Sequence, residues 1–424
     1  MARRKYIALR YLTRFHCIGG ECEETCCGGW RVDVDEGHFQ KLKRAMKAPA
    51  ERARFEAMMA IEPPPTRTRY KFAVLRDGDN GLCRALGADG WCDIHRSHGP
   101  DVLPLTCAQY PRHQITVGDR VEASANLSCP EVARLALLAD DAVDLVESDA
   151  RILPRNDERE MLARPQTAAL PWVRHLDDVR GTALELLMAG QFPIASRLLH
   201  VASMAYALAS FYTPEAEEVD AREVNRLLDA AGELAMCERL HMELGSAPPS
   251  ELGALVVTNV ILGTRTGPLR ATYAANLDAA TAGCSDGDGR LARALVYTTH
   301  VARRERLPIE LRDRMERYFE NFHRHMWMRD CYIPAPDLFA YAQNAIVRHC
   351  LLRFLLIGHP LTAASMEEPD HDKRLALFDR AAVSVFYTYS RAMEHNADIW
   401  KSITADMKDH KLQSLAHCLH LLKF

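Results

Sequence analysis

The residues best placed to do chemistry in this chain are cysteines. Of the 13 in its 424 residues, eight crowd into the first third: Cys17, Cys22, Cys26, Cys27, Cys83, Cys92, Cys107 and Cys129. Thiolates ligate soft metals and iron–sulfur clusters, and clustered cysteines in a reducing compartment favour that role over disulfides. The first block, Cys17-Ile-Gly-Gly-Glu-Cys22-Glu-Glu-Thr-Cys26-Cys27-Gly-Gly-Trp30, mixes cysteine with glycine. Glycine lets backbone pass close to a ligand and brings amide donors to anionic sulfur. On a helix Cys22 and Cys26 would share a face at i, i+4, whereas Cys26 and Cys27 would not.

Further blocks follow at Cys83-Arg-Ala-Leu-Gly87-Ala-Asp-Gly90-Trp-Cys92-Asp93-Ile-His95, at Thr106-Cys107-Ala-Gln-Tyr110-Pro-Arg112 and at Ser128-Cys129-Pro-Glu131. The Gly87 to Gly90 stretch reads as a turn that brings Cys83 and Cys92 together. Structural zinc prefers paired C-x₂₋₄-C knuckles in tetrahedral sets. The spacings here, from C-x₄-C to C-x₂₁-C, repeat no zinc-finger pattern and no ferredoxin pattern. Spacing alone leaves an iron–sulfur cluster and zinc both open, with a disulfide scaffold behind them. The remaining cysteines, Cys237, Cys284, Cys331, Cys350 and Cys418, stand singly and read as small buried hydrophobes.

The elements that must position these thiols are of two kinds. Gln114 to Ala123 alternates apolar and polar residues around Gly118-Asp119, the pattern of a β-hairpin that returns the chain toward Cys129. Ser128 and Glu131 have the spacing of a capping box. From about residue 128 the apolar period becomes 3.6, predicting helices over 129–147, 170–190, 194–212, 221–244, 249–263, 289–304, 308–326, 335–357, 373–395 and 409–422. The expected fold is mainly α: a Cys-rich α+β region with a β-hairpin over 1–150, then a helical, bundle-like region over 151–424.

Composition narrows the function classes. With 48% hydrophobic and 26% charged residues and a net charge of −4, disorder, collagen and a coiled-coil rod are excluded. The near-neutral balance supplies no drive toward nucleic acid or an anionic membrane. Arg10 and Arg14 interrupt any N-terminal apolar run, and Leu351 to Ile357 falls far short of the ~20 residues of a membrane span. A cytoplasmic protein is expected. There is no Walker A motif, no G-x-G-x-x-G after a strand, no H-E-x-x-H and no G-x-S-x-G.

The Cys17 to Trp30 block, Leu82-Cys83 with Cys92-Asp-Ile, Thr106-Cys107-Ala-Gln-Tyr-Pro-Arg112 and Leu127-Ser-Cys129-Pro-Glu-Val-Ala-Arg134 resemble the flagellin lysine-N-methylase family. The wider group carries a CxxCxxCC-type zinc- or iron-chelating region. Weaker matches are Glu320-Asn321, Leu351 to Gly358 and Ser390-Arg-Ala-Met-Glu-His-Asn396. One departure is Cys83-Arg-Ala-Leu where the family commonly has Cys-Pro-Phe-Leu. The resemblance implies an S-adenosylmethionine-dependent protein-lysine N-methyltransferase with a [4Fe-4S] cluster and flagellin as protein substrate. Zinc remains the alternative to the cluster, and a non-catalytic metal or cluster sensor the alternative function. Eight thiols exceed the four that one cluster takes.

Methylating lysine requires a neutral amine, and free lysine titrates near about 10.4. A proton acceptor or a desolvating site is therefore needed. Glu394, His395 and Tyr110 are the catalytic candidates, with Arg112 and Arg391 as cofactor binders. Arg391 and Glu394 or His395 are also neighbours on a helix, so a surface salt bridge is the plainer expectation there. Tyr110 and Arg112 follow Cys107, and Asp93 and His95 follow Cys92, where they would order the surroundings of the sulfurs. His323, His325 and His359 read as snorkelling or capping residues.

Overall fold

A computed structural model of the chain describes residues 5–117, 120–148, 161–162, 175–211, 220–265, 270–330 and 337–424. Two compact units emerge: Met1–Val132 with Asp144–Leu162, and Ala133–Val143 with Ala163–Phe424. The architecture is mainly α, with small sheets confined to the first unit.

In the first unit, β1 (Lys5–Leu9) leads into a short helix, α1 (Tyr11–Arg14). A three-stranded antiparallel sheet follows, from β2 (Asp33–Val34), β3 (Met59–Ile61) and β4 (Ala73–Leu75), with β4 central. Helices α2 (Glu36–Ala45) and α3 (Pro49–Met58) bury Phe39, Leu42, Phe55 and Met58 in the same core as Val34 and Ala73. Two short helices, α4 (Asp93–His98) and α5 (Leu105–Gln109), precede β5 (Arg112–Val117) and β6 (Arg120–Ala125). β5 and β6 pair antiparallel from Arg112↔Ala125 to Val117↔Arg120, the expected hairpin. Its Gly118-Asp119 tip lies outside the described residues.

A larger sheet has the order β7-β1-β6-β5-β8, where β7 is Leu145–Ser148 and β8 Met161–Leu162. β1 lies parallel to β6, and every cysteine block but the last is inserted between them. Parallel neighbours leave a sheet at the same end. The chain after β1, carrying Cys17 and Cys22, therefore exits beside the chain after β6, carrying Cys129. β5 enters at that end just after Cys107 and Tyr110. The buried Tyr11 hydroxyl accepts a bond from the Ala125 amide at 2.7 Å and ties the two exits together.

The helix expected over 129–147 is shorter. α6 (Pro130–Leu137) stops before Asp140-Asp141, and Leu145 to Ser148 pairs antiparallel with the open edge of β1. The Leu-Val-Glu-Ser run finds a strand partner that local period could not announce. Cys22 to Cys26 is not helical either. A 3₁₀ turn at Gly19–Glu21 ends at Cys22 in extended conformation, so the i, i+4 geometry expected for this pair does not form.

The second unit contains α7 (Leu176–Met188), α8 (Ile194–Leu208), α9 (Ala221–Gly232), α10 (Leu234–Ser246), α11 (Leu252–Thr264), α12 (Ala271–Thr281), α13 (Arg293–Glu305), α14 (Ile309–Asp330), α15 (Leu338–Gly358), α16 (Pro360–Glu367), α17 (His371–Tyr389), α18 (Ala397–Asp409) and α19 (Leu415–Leu422). The expected 221–244 helix is two helices, because Glu233 after Gly232 turns extended. α15 is apolar around nearly its whole circumference, the mark of a central helix. It is buried along almost its full length and packs against α8, α11, α12, α13, α17 and α19. Side-chain caps close several N-termini: Asp370 accepts from Lys373 N at 3.0 Å, and His359 Nδ1 from Leu361 N at 3.1 Å. Among the described residues, no helix is long and apolar enough to cross a membrane.

This core holds neutral imidazoles. Burial pulls His200 down to about 4, His323 to about 3 and His359 to about 4. His323 is fully buried, as is His325, rather than snorkelling; His359 is the cap it was expected to be. In the unfolded chain these groups take protons near about 6.5. Between about pH 6.5 and 4 the unfolded state thus binds more protons, and stability falls as pH falls, by up to about 1.4 kcal/mol per pH unit for each imidazole. Urea unfolding of the full chain should show a loss of a few kcal/mol from pH 7 to pH 5. An unchanged midpoint would contradict this account of the core.

Candidate functional site

The first two cysteine blocks meet. Cys83 N donates to Cys27 O at 2.9 Å, joining the first and second blocks. The Gly87 to Gly90 turn closes as expected, with Gly87 N bonded to Trp91 O at 2.8 Å and Leu86 bridged to Cys92. The Cys17–Cys22 loop then lies directly on this turn. A Cβ on Gly20 would strike the backbone carbonyl of Asp89, and one on Gly19, at φ +56°, the Trp91 ring. Only glycine permits that approach.

Cys26 is the hub. Its charge acts on Cys22, Cys27, Cys83, Cys92 and Cys129, so all five lie within its electrostatic reach; Cys107 reaches Cys27, and Cys17 reaches Cys22. Burial, reinforced by Glu23, Cys17 and Cys26, pushes Cys22 up to about 11. Burial likewise pushes Cys129 up to about 12. Cys83 and Cys92 are raised by burial, with Cys26 adding to both. The Cys27 thiol is raised first by its hydrogen bond with Cys26, then by burial. Several anionic sulfurs here would repel one another unless a cation shared the site. Among the described residues, no three Cys, His, Asp or Glu side chains are close enough to enclose a single metal ion.

The candidates after Cys107 brace this region. Tyr110 OH meets Ser128 Oγ at 3.1 Å, beside Cys129. Its ring packs 5.8 Å from that of Trp30, whose Nε1 donates to Cys26 O at 2.8 Å. Arg112 lies over the Phe15 ring at 4.8 Å. Asp93 pairs with Arg54 and Arg96, and His95 is exposed.

Glu394 is not on the surface. α17 widens into a π-helical turn at Ser390–Glu394, and the Glu394 carboxylate lies inward. Arg348 Nε of α15 donates to Glu394 Oε1 at 2.9 Å, and Tyr389 OH to the same oxygen at 2.7 Å. Burial alone would raise this carboxyl, but Arg348, Arg329 and the two hydrogen bonds outweigh it and hold it below its ordinary value. Arg348 also lies over the Trp400 ring at 3.7 Å. The surface pair expected for Glu394 is thus a buried one, with a partner from another helix that spacing along α17 could not reveal. Arg391 stacks on Tyr387 at 5.3 Å, and His395 is exposed.

The π turn opens onto a groove that sequence reasoning missed. Asn396 Oδ1 caps α18 through Asp398 N at 3.2 Å and lines a cavity of about 300 Å³ between α11 and α18. Val256, Val260, Ile399 and Met407 form apolar walls, with Asp398 and Asp406 among the polar residues. His410 at the groove has Nδ1 2.8 Å from the Asp406 carbonyl, which makes Nδ1 the donor and Nε2 the free acceptor. Cys237, Cys284, Cys350 and Cys418 are buried in this unit, as expected of packing residues; Cys331 lies outside the described residues.

Fold and site together define a mainly helical protein with an all-sulfur constellation on its N-terminal unit and an acidic, apolar-walled groove on its helical one. Residues 180–421, more than half of the chain, match the family described as FliB lysine N-methylase C-terminal domain. The chain belongs to the flagellin lysine-N-methylase family. It is 28% identical over 137 residues to the lysine-N-methylase of Salmonella typhimurium, covering 32% of this chain and 33% of that protein. It is 26% identical over 137 residues to the flagellar biosynthetic protein FliU of Salmonella muenchen, covering 32% and 79%. The aligned stretch thus spans about a third of the length of the curated lysine-N-methylase. No solved structure matches the chain.

Proposed function

We propose that this protein transfers methyl groups from S-adenosylmethionine to lysine side chains of a protein substrate, flagellin, in the cytoplasm. The observation that carries this reading is family membership across the helical unit. The groove fits the acceptor. Its apolar walls suit the four methylenes of lysine, and Asp398 and Asp406 suit the ammonium. His410 Nε2, left as an acceptor, would take the proton that must leave before the amine can attack. Glu394, held ionised by Arg348, is a poor acceptor for a lysine proton. Its part is to anchor the π turn, and so Asn396 and the start of α18, at the groove.

The eight thiols fit an inorganic centre in donor chemistry: all sulfur, drawn from four chain segments around Cys26. A single zinc needs four ligands about 2.3 Å from one point, tighter than the arrangement here. A cluster of several irons accepts thiolates set wider apart, which supports [4Fe-4S] over zinc. Cys26 and three of Cys22, Cys83, Cys92 and Cys129 would supply its ligands. When bound, the cluster would supply positive charge that offsets the thiolates and cross-links the segments.

The test is mass spectrometry of flagellin incubated with anaerobically purified protein and the methyl donor, alongside iron and sulfide analysis. Methylated lysines are expected only when both are present. Iron and sulfide without donor binding would instead mark a non-catalytic cluster protein.

A further inference from the structure

Arg353, on the central helix α15, is 7% exposed, and its Nε and Nη2 have no hydrogen-bond partner. These two nitrogens share one edge of the guanidinium, the edge that grips two oxygens side by side. The same unit shows what that edge does when satisfied. Arg314 uses it on Asp379, at 2.7 and 2.6 Å, and Arg348 uses it on Glu394. At Arg353 the edge meets no carboxylate. Glu316 is an acid whose charge acts on it, and that group is engaged elsewhere, accepting from Ile194 N at 2.6 Å and pairing with Arg197 at 3.5 Å.

Histidines with open ring nitrogens lie in the same core. His349, one turn earlier on α15, has neither ring nitrogen hydrogen-bonded; His300 of α13 and His323 of α14 each leave Nε2 without a partner. All three are 1% exposed. His323 and His349 stand 5.7 Å apart by ring centroids, and His300 and His349 both feel the charge of Arg353. Arg304 adds further positive charge. A buried guanidinium with an open edge is costly unless an anion meets it, and buried polar groups are normally bonded.

We propose that Arg353, with His300, His323 and His349, forms an internal binding site for an oxyanion carrying two adjacent oxygens. Carboxylate and inorganic phosphate share that chemistry, and the carboxylate end of the methyl donor is a third source of it. Arg353 supplies the bidentate edge, and His349, both of whose ring nitrogens are open, supplies a further donor. The site shares no residue with the groove or the thiols, and it does not require that the protein be a methylase.

Thermal unfolding of the full chain, in chloride buffer with and without acetate or phosphate, tests this. The wild type should gain about 2–4 °C or more at saturating oxyanion, and Arg353→Met should gain nothing. In anion-free buffer Arg353→Met should be at least as stable as the wild type, because it removes an unpaired buried charge. Should that variant fold poorly, Arg353→Lys, which keeps the charge and loses the paired edge, should lose most of the shift. An Arg353-dependent shift from S-adenosylmethionine but not from its decarboxylated analogue would assign the site to the donor. The same shift from acetate or phosphate would assign it to a free anion. No Arg353-dependent shift from any of them overturns the site, while methylation of flagellin is judged separately by mass spectrometry.

Discussion

Replacing Glu394 by alanine is expected to cost the helical unit about 3–5 kcal/mol, the usual loss when one partner of a buried ion pair is removed. The carboxylate side chain is 5% exposed and that of Arg348 11%. Without it, the guanidinium stays wedged over Trp400 with its paired oxygens gone, and Tyr389 loses its acceptor. Glu394→Gln keeps the volume and an oxygen for Tyr389, so it should cost less. Arg348→Met combined with Glu394→Gln should cost less than the two single changes added together, because the penalty is that of a stranded charge. Urea midpoints of the full chain, followed by a probe of helix content, measure all of these. A loss under about 1 kcal/mol for the alanine variant would mean that Asp330, the other acid acting on Arg348, takes over the pairing. Because the π turn leads directly into Asn396, the same variant should also weaken acceptor binding in the groove more than it slows turnover.

Cys26→Ser is expected to remove most of the iron and sulfide from anaerobically purified protein, and Cys17→Ser very little. The contrast follows from position. Both thiols are exposed, but Cys26 acts on five others, whereas Cys17 acts on Cys22. Losing an outer partner of a metal site already costs about 10–100-fold in affinity, and losing a ligand should cost more. Iron per chain and visible absorbance read this without any assay of activity, and the thermal midpoint should fall with them as the cross-link between segments is lost. Equal losses across all eight cysteines, or none at all, would sink the idea of a centre built around Cys26.

Much of this protein was legible in its residues. The thiol blocks, the Gly87 to Gly90 turn, the hairpin strands on either side of Gly118-Asp119 and most of the helices are local patterns, carried by glycine freedom and by apolar periods of 2.0 and 3.6. Errors arose where a distant partner decided. Leu145 to Ser148 became a strand because β1 had an open edge. Cys22 to Cys26 stayed irregular where Gly19 and Gly20 press against Asp89 and Trp91. Glu394, placed by helix spacing beside Arg391, turned inward to an arginine 46 positions away.

The residues alone establish which groups are present and which short segments hold them: eight soft donors in the first third, a helical remainder, and motifs that resemble a family whose match lies over residues 180–421. Only tertiary structure decided that parallel pairing of β1 with β6 brings Cys17, Cys22 and Cys129 to one sheet end. It alone decided that α11 and α18 frame a groove, and that Arg353 is buried with an open edge. The reason is physical. Periodicity and turn chemistry act over a few residues, whereas strand pairing, ion pairing and burial join groups whose separation along the chain carries no signal of their meeting.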